Sequence, residues 1–367
     1  MRTKEKLLST LHKKIIPSLS ICKCNCKCIC MCICICICLL AGLLVSCARK
    51  RPEPASVYVP TDYLAVSELI SYDPAQLNQI PNNPFPTLSV PTYLTKVKDT
   101  YFIVDCYNNQ VIYHDNLADP LYQWQIMTND INMGHTLASD GTVYLIDDTE
   151  NNRILVMEES VNENGQPVFI PTQEFTHIGN RPHYILYDEY TDTFYAWSSM
   201  SGEMYLFRHA EDDSRMYLTQ VLSIPSLDGV YVRSFTIAGD RIYFVSGNSS
   251  ILEADLYTFE IKKEYPVPAQ LSGMIQLTPI DDYYYITVST DASGNQDYAT
   301  IIRTKDLDGL ADGNYEDIYD SFIGGGTPYY MTRIDDFWYL TEHRIPGHSI
   351  WQFRVQDNSL TDITALY

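Results

Sequence analysis

Two histidines stand second in short segments of the same build, Gly134-His135-Thr136-Leu137-Ala138 and Pro182-His183-Tyr184-Ile185-Leu186. Imidazoles brought together can hold zinc, which takes three or four ligands from His, Cys, Asp or Glu. His343 and His348, in Glu342-His343-Arg344-Ile345-Pro346-Gly347-His348, are candidates to complete such a set. A metal on His135 and His183 would leave Arg233 to stabilise a developing oxyanion, as in a lyase or hydrolase. The same three residues can instead hold an anion or small polar molecule, or each histidine can hydrogen-bond within the protein.

Other chemistry has fewer candidates. Beyond residue 47 there is no Gly-x-Ser-x-Gly, no His-Glu-x-x-His, no phosphate-binding glycine loop and no Cys-x-x-Cys. Cys106 follows an apolar segment with no matching His–Asn arrangement, which predicts a buried or half-buried, inert thiol. Asp-rich stretches at 291–297 and 306–317 offer oxygen ligands for structural calcium. An EF-hand loop needs such ligands at alternating positions, and Leu310 occupies one of them, so the stretches read as solvated loops.

What must position the histidines is a repeat. Six segments stack: TYFIVD (100–105), TVYLID (142–147), TFYAWS (193–198), RIYFVS (241–246), YYYIT (283–287) and WYLTE (338–342). Each has an aromatic residue in one column: Phe102, Tyr144, Tyr195, Tyr243, Tyr284 and Tyr339. Their spacings are 42, 51, 48, 41 and 55 residues, the period of four-stranded propeller blades. Apolar spacing of three and four, which helical repeats require, is absent. A turn cluster follows each segment, then a third strand. Upstream of each lies an inner strand: PTYLT, GHTLA, PHYIL, VRSFT, GMIQL and PYYMT. The fold class is therefore all-β, a six-bladed β-propeller of four-stranded antiparallel blades. Aligning the inner-strand openings puts Thr92, His135, His183, Arg233, Met274 and Tyr329 around the central channel, the candidate ligand site.

YFIVDCYNNQVIYHD and VYLIDDTENNRILVMEE resemble the NHL-type repeat of six-bladed propellers: apolar strand, Asp, Asn-Asn, and a further strand. The other four blades keep the strand pattern without the Asp. The resemblance implies an interaction platform or a metal-assisted enzyme. Lactonase-type relatives hold a divalent cation through carboxylate and amide oxygens, and the aligned ring has no Asp, Glu or Asn. Amidating-lyase-type relatives hold zinc by three histidines, of which only His135 and His183 occupy equivalent places.

Nine of the 11 cysteines lie in ICKCNCKCICMCICICIC, residues 21–38. Cysteine behaves as a small hydrophobe, so 29–45 is an apolar run of 17 residues after a basic opening, the pattern of a secretory signal. Leu44-Val45-Ser46-Cys47 resembles the bacterial lipobox, which implies acylation of Cys47. An uncleaved anchor is the alternative reading. The expected organisation is a lipoprotein signal peptide (1–46), a lipidated tether (47–57), an extended lead-in (58–90) and the propeller (91–367). Residues 1–46 carry seven Lys/Arg and one Glu, which leaves 25 − 7 = 18 basic and 46 − 1 = 45 acidic residues, a formal charge of −27. Nucleic acid is not an expected partner of such a chain.

These features predict an extracytoplasmic lipoprotein of the cell membrane or outer membrane, held in the bilayer by its acyl anchor. Its propeller would bind or scaffold a protein, peptide or glycan. A metal-dependent lyase or hydrolase at the central channel is the alternative. Clusters among the 29 tyrosines, such as Tyr283-Tyr284-Tyr285 and Tyr329-Tyr330, offer stacking faces for sugars or apolar groups, with core packing as the competing reading.

Overall fold

A computed structural model of the chain describes residues 65–73, 77–290, 297–322, 326–343, 347 and 349–367. The chain divides into two units, Met1–Pro52 and Glu53–Tyr367, and every described residue belongs to the second. The signal segment, Cys47, the tether, most of the 291–297 stretch and His348 lie outside the described residues. No helix among those described is long and apolar enough to cross a membrane.

Six antiparallel sheets follow one another along the chain. Blade one comprises Pro91–Val97, Thr100–Asp105, Gln110–His114 and Gln125–Thr128. Blade two has Leu137–Ser139, Val143–Asp148, Arg153–Val161 and Pro167–Thr176. Blade three has Pro182–Asp188, Thr193–Ser198, Glu203–Ala210 and Asp213–Ser223. Blade four runs through Val232–Ala238, Arg241–Ser246, Ser250–Asp255 and Ile261–Pro266. Blade five runs through Met274–Ile280, Tyr283–Thr290, Asp297–Thr304 and Glu316–Asp317. Blade six has Thr327–Ile334, Phe337–His343, Ile350–Gln356 and Ser359–Leu366. The protein is a six-bladed β-propeller, as the repeat predicts.

The turn chemistry explains the hairpins. In blades one and two a short 3₁₀ turn leads from second to third strand and ends at Asn109 or Asn152, both in the left-handed conformation that asparagine tolerates. Blade three has Gly202 at the corresponding turn, with φ +63° and backbone so close that an added Cβ would lie 2.8 Å from the Asp228 nitrogen. The aromatic column packs blade against blade: Phe102 lies 5.4 Å from Tyr144, and Tyr243 lies 6.3 Å from Tyr284, between ring centroids.

Part of the lead-in becomes a fifth strand. Val66–Leu69 pairs with Gln173–Thr176 on the outer edge of blade two, and Ser67 Oγ accepts a hydrogen bond from Gln173 Nε2 at 2.7 Å. Farther on, Pro81 and Asn83 bond the backbone of Ile126 and Trp124 at the outer strand of blade one. The lead-in thus covers two strand edges that would otherwise invite pairing with another chain.

Among the described residues, no strand is exchanged between blades six and one. Their seam is closed by side chains. Thr332 Oγ1 donates to the Leu94 carbonyl and Thr341 Oγ1 to the Thr92 carbonyl, each at 2.7 Å. The Tyr367 hydroxyl reaches the Leu117 and Asp119 carbonyls and accepts from Trp124 Nε1.

Candidate functional site

The inner strands of blades one, three, four, five and six open with a bulge, whereas in blade two His135 precedes the inner strand. Pro91 pairs with Asp105 and Tyr93 with Val104, so Thr92 is the extra residue; His183 is the extra residue in blade three for the same reason. Bulges re-aim a side chain, and here they turn it toward the axis. In blade four Arg233 and Ser234 share the bulge, and in blade six Tyr329 and Tyr330 do. In blade five the bulged residue is Ile275, because Met274 is paired with Val288 and Gln276 with Thr287. Met274 accordingly leaves the axis and packs in the apolar cluster with Leu271, Leu277 and Val288. Of the six aligned positions, Thr92, His135, His183, Arg233 and Tyr329 come together, and Met274 does not.

His135 and His183 stack with ring centroids 3.7 Å apart, and the Tyr329 ring lies 5.9 Å from His135. The second-strand stop in blade two builds the floor. Asp147, fully buried, accepts from the backbone N–H of His135 (2.8 Å) and of Thr136 (2.6 Å), and from the hydroxyls of Thr136 and Thr149. Asp105 does the same in blade one, accepting from the N–H groups of Ser89 and Val90. These polar stops hold the start of the neighbouring inner strand. Burial raises the Asp105 carboxyl above the usual carboxylate range, against the pull of its hydrogen-bond donors.

The acceptors fix the tautomers. Thr149 Oγ1 has one proton and faces Asp147 Oδ2 and the Pro182 carbonyl, so it accepts from His135 Nδ1–H at 2.9 Å. His135 Nε2 then faces the Cys106 sulfur at 3.8 Å. Burial, and next the charges of Asp147 and Asp105, push the Cys106 thiol far up, which keeps it protonated. His183 Nδ1 faces the Arg233 carbonyl at 3.1 Å and so carries the proton, while its Nε2 accepts from the hydroxyls of Tyr231 (3.1 Å) and Tyr329 (3.3 Å). Burial, then the adjoining His135 ring and the Arg233 guanidinium, drive His183 well below the ordinary imidazole range, so the ring is neutral. Arg233 lies over the Tyr231 ring at 4.6 Å.

A second layer fills the axis. Tyr184 packs 5.1 Å from Tyr330 and 5.2 Å from Phe235, and Tyr93 packs 6.0 Å from Tyr330. Gln276 Nε2 reaches the Tyr184 hydroxyl, whose pKa burial pushes up to about 12.

Taken in order, these residues form a circuit of hydrogen bonds from each blade to the next. Thr92 Oγ1 donates to the His135 carbonyl, Ile185 N–H to Thr136 Oγ1, and His183 Nδ1–H to the Arg233 carbonyl. Ser234 Oγ donates to the Ile275 carbonyl and Met331 N–H to Gln276 Oε1; Thr341 closes the loop on Thr92. The sequence pointed to Thr92, His135 and His183, and the structure gives each a bond in this stitching. Tyr231, Thr149 and Ser234 were not singled out, although Thr149 stands two residues beyond the Asp stop.

As a zinc site the cluster fits poorly. His183 has both ring nitrogens engaged, and among the described residues no group of three or more His, Cys, Asp or Glu side chains is placed to hold a metal ion. His343 lies with its ring 6.1 Å from Tyr329. In the 306–317 stretch, Asp306 caps a 3₁₀ helix by accepting from Asp308 N–H, Asp308 pairs with Lys263 at 2.6 Å, and Asp317 accepts from Thr300.

No family model matches the chain, and no curated protein matches it. Solved structures do. A 6-phosphogluconolactonase-like protein from Bacteroides fragilis is 12% identical over 84% of this chain and 97% of its own, with a TM-score of 0.53. Another, from Bacteroides uniformis, is 12% identical over 75% of this chain and 85% of its own, with a TM-score of 0.51. At that identity the likeness concerns architecture, and by architecture the chain is a β-propeller protein.

Proposed function

We propose that this protein is a surface lipoprotein, anchored through Cys47, whose propeller serves as a binding or scaffold module for a protein, peptide or glycan. The observation that carries the reading is the filled axis. The histidines, tyrosines and threonine at the hub bond one another and the neighbouring strands, which makes them fastenings and moves recognition to the outer surfaces of the disc. The lipobox-like segment supports the anchor, and the acidic balance supports a soluble domain held at a membrane surface.

Photo-crosslinking of the full chain in intact cells tests this, together with metal analysis of the purified protein. The expected result is a reproducible set of crosslinks to one partner from exposed aromatics such as Tyr107, Tyr122 and Tyr217, in a membrane fraction that Cys47→Ser abolishes. Stoichiometric zinc, lost together with a hydrolytic or lyase activity on substitution of His135 and His183, would replace this reading with the enzymatic one.

A further inference from the structure

The seam between blades six and one contains an open cleft at the hairpin ends of the strands, the end opposite the histidine cluster. Its volume is about 390 Å³, inside the ~300–1,000 Å³ typical of small-molecule sites. Tyr101, Phe337 and Tyr339 give it aromatic walls, and Asn116, Asp336 and Gln352 supply polar groups at its edge.

Tyr339 is the decisive residue. Only 5% of it is exposed, yet its hydroxyl has no hydrogen-bond partner among the described residues and is not among the sealed-off polar atoms, so it opens on the cleft. A phenol so deeply set normally finds a partner. Burial, followed by Tyr101 and Asp335, lifts its pKa to about 12, so it remains a hydroxyl that can both donate and accept. The Gln352 amide is likewise without a hydrogen-bond partner among the described residues.

We infer that this cleft binds a saccharide unit. A pyranose presents an apolar C–H face to an aromatic ring and a rim of hydroxyls, and the cleft offers the complement: ring faces inside, with phenol, amide and carboxylate oxygens around them. A cation is the competing ligand for an aromatic and acidic site. The field it would need is reduced, because Asp335 is paired with Lys96 at 2.9 Å and Asp115 lies 3.6 Å from the His114 ring. Neither pairing removes the carboxylate lone pairs that accept sugar hydroxyls. This inference rests on the reading of the chain as a binding module and names the ligand class for one of its surfaces.

The test applies the detergent-solubilised full chain to a mixed array of neutral, acidic and amino-sugar glycans, with spermidine titrated separately. Wild-type protein is expected to bind a related group of glycans, and Tyr339→Phe and Gln352→Ala each to weaken that binding by about tenfold, with unchanged thermal midpoints. Glycan binding that survives both substitutions overturns the pocket while leaving the binding module standing. An array on which the wild type binds nothing, or saturable binding of spermidine alone, overturns the saccharide assignment. Crosslinking to a protein partner would then still support the broader reading.

Discussion

The hub and the seam cleft are built from the same kinds of residue and differ in how those residues end. At the hub, Tyr330 is fully buried and its hydroxyl has His183 Nδ1 at 3.1 Å and the Arg233 carbonyl at 3.2 Å. In the cleft, Tyr339 is almost as buried and its hydroxyl has no hydrogen-bond partner among the described residues. Satisfied polar groups hold a fold together, whereas a deeply set polar group left open to a cavity is where a ligand gains most. A histidine pair on a propeller axis attracts attention by residue type alone, and its bonds show a fastening.

The contrast can be broken by substitution. Asp147→Ala should have the largest effect, since it strands three buried donors, the N–H groups of His135 and Thr136 and the Thr136 hydroxyl; a loss of about 3–5 kcal/mol in urea unfolding is expected, against about 1 kcal/mol for Ser246→Ala, whose side chain accepts one N–H. Equal losses would mean the stops are interchangeable. Tyr330→Phe should cost about 1–2 kcal/mol in the same assay, because it removes a satisfied buried hydroxyl. Tyr339→Phe should stay within about 0.5 kcal/mol of wild type. Reversal of that order would place the structural hydroxyl in the cleft.

Two histidines sharpen the comparison through pH. His183 is held neutral in the fold, with its pKa depressed, while the unfolded chain takes up a proton near pH 6.5. Its contribution is therefore complete above about pH 6.5 and declines as pH falls below that. His209, at the contact of blade three with the Asp140 turn, has the opposite sign. Burial, the largest single influence, lowers its pKa, but the hydrogen bond to Asp140 at 2.6 Å, the Ala210 carbonyl and the Asp140 charge together outweigh it and the result is raised. Its contribution is complete below about pH 6.5 and is lost as pH rises through the folded value. His183→Asn should thus flatten the acid side of the urea-midpoint profile, and His209→Asn the neutral-to-alkaline side. Parallel shifts in the two variants would contradict the assigned protonation states.

Blade number and strand order were legible because each blade repeats an aromatic column, a polar stop and a turn cluster at a near-constant interval. The fifth strand was not, since Val66–Leu69 is exposed and carries no burial pattern to betray pairing. Met274 shows where counting from a strand opening fails: the bulge shifts by one, and Ile275 takes the axial place. Sequence marks which residues can ligate, but not whether their lone pairs are already taken, and that decided His183. The cleft had no signature at all, because Tyr339 reads as one more member of the column and its neighbours come from opposite ends of the chain.

Sealing by side chains rather than by a borrowed strand bears on how the disc is assembled. Contacts across the seam join residues 238 to 250 positions apart, the costliest loops in the molecule to close. On a ribosome, blade one emerges first and its flank stays bare while the other five are made. Tyr367 then brings a single phenol to the Leu117–Trp124 turn, so the nascent disc remains a spreadable fan until its sixth sector is complete.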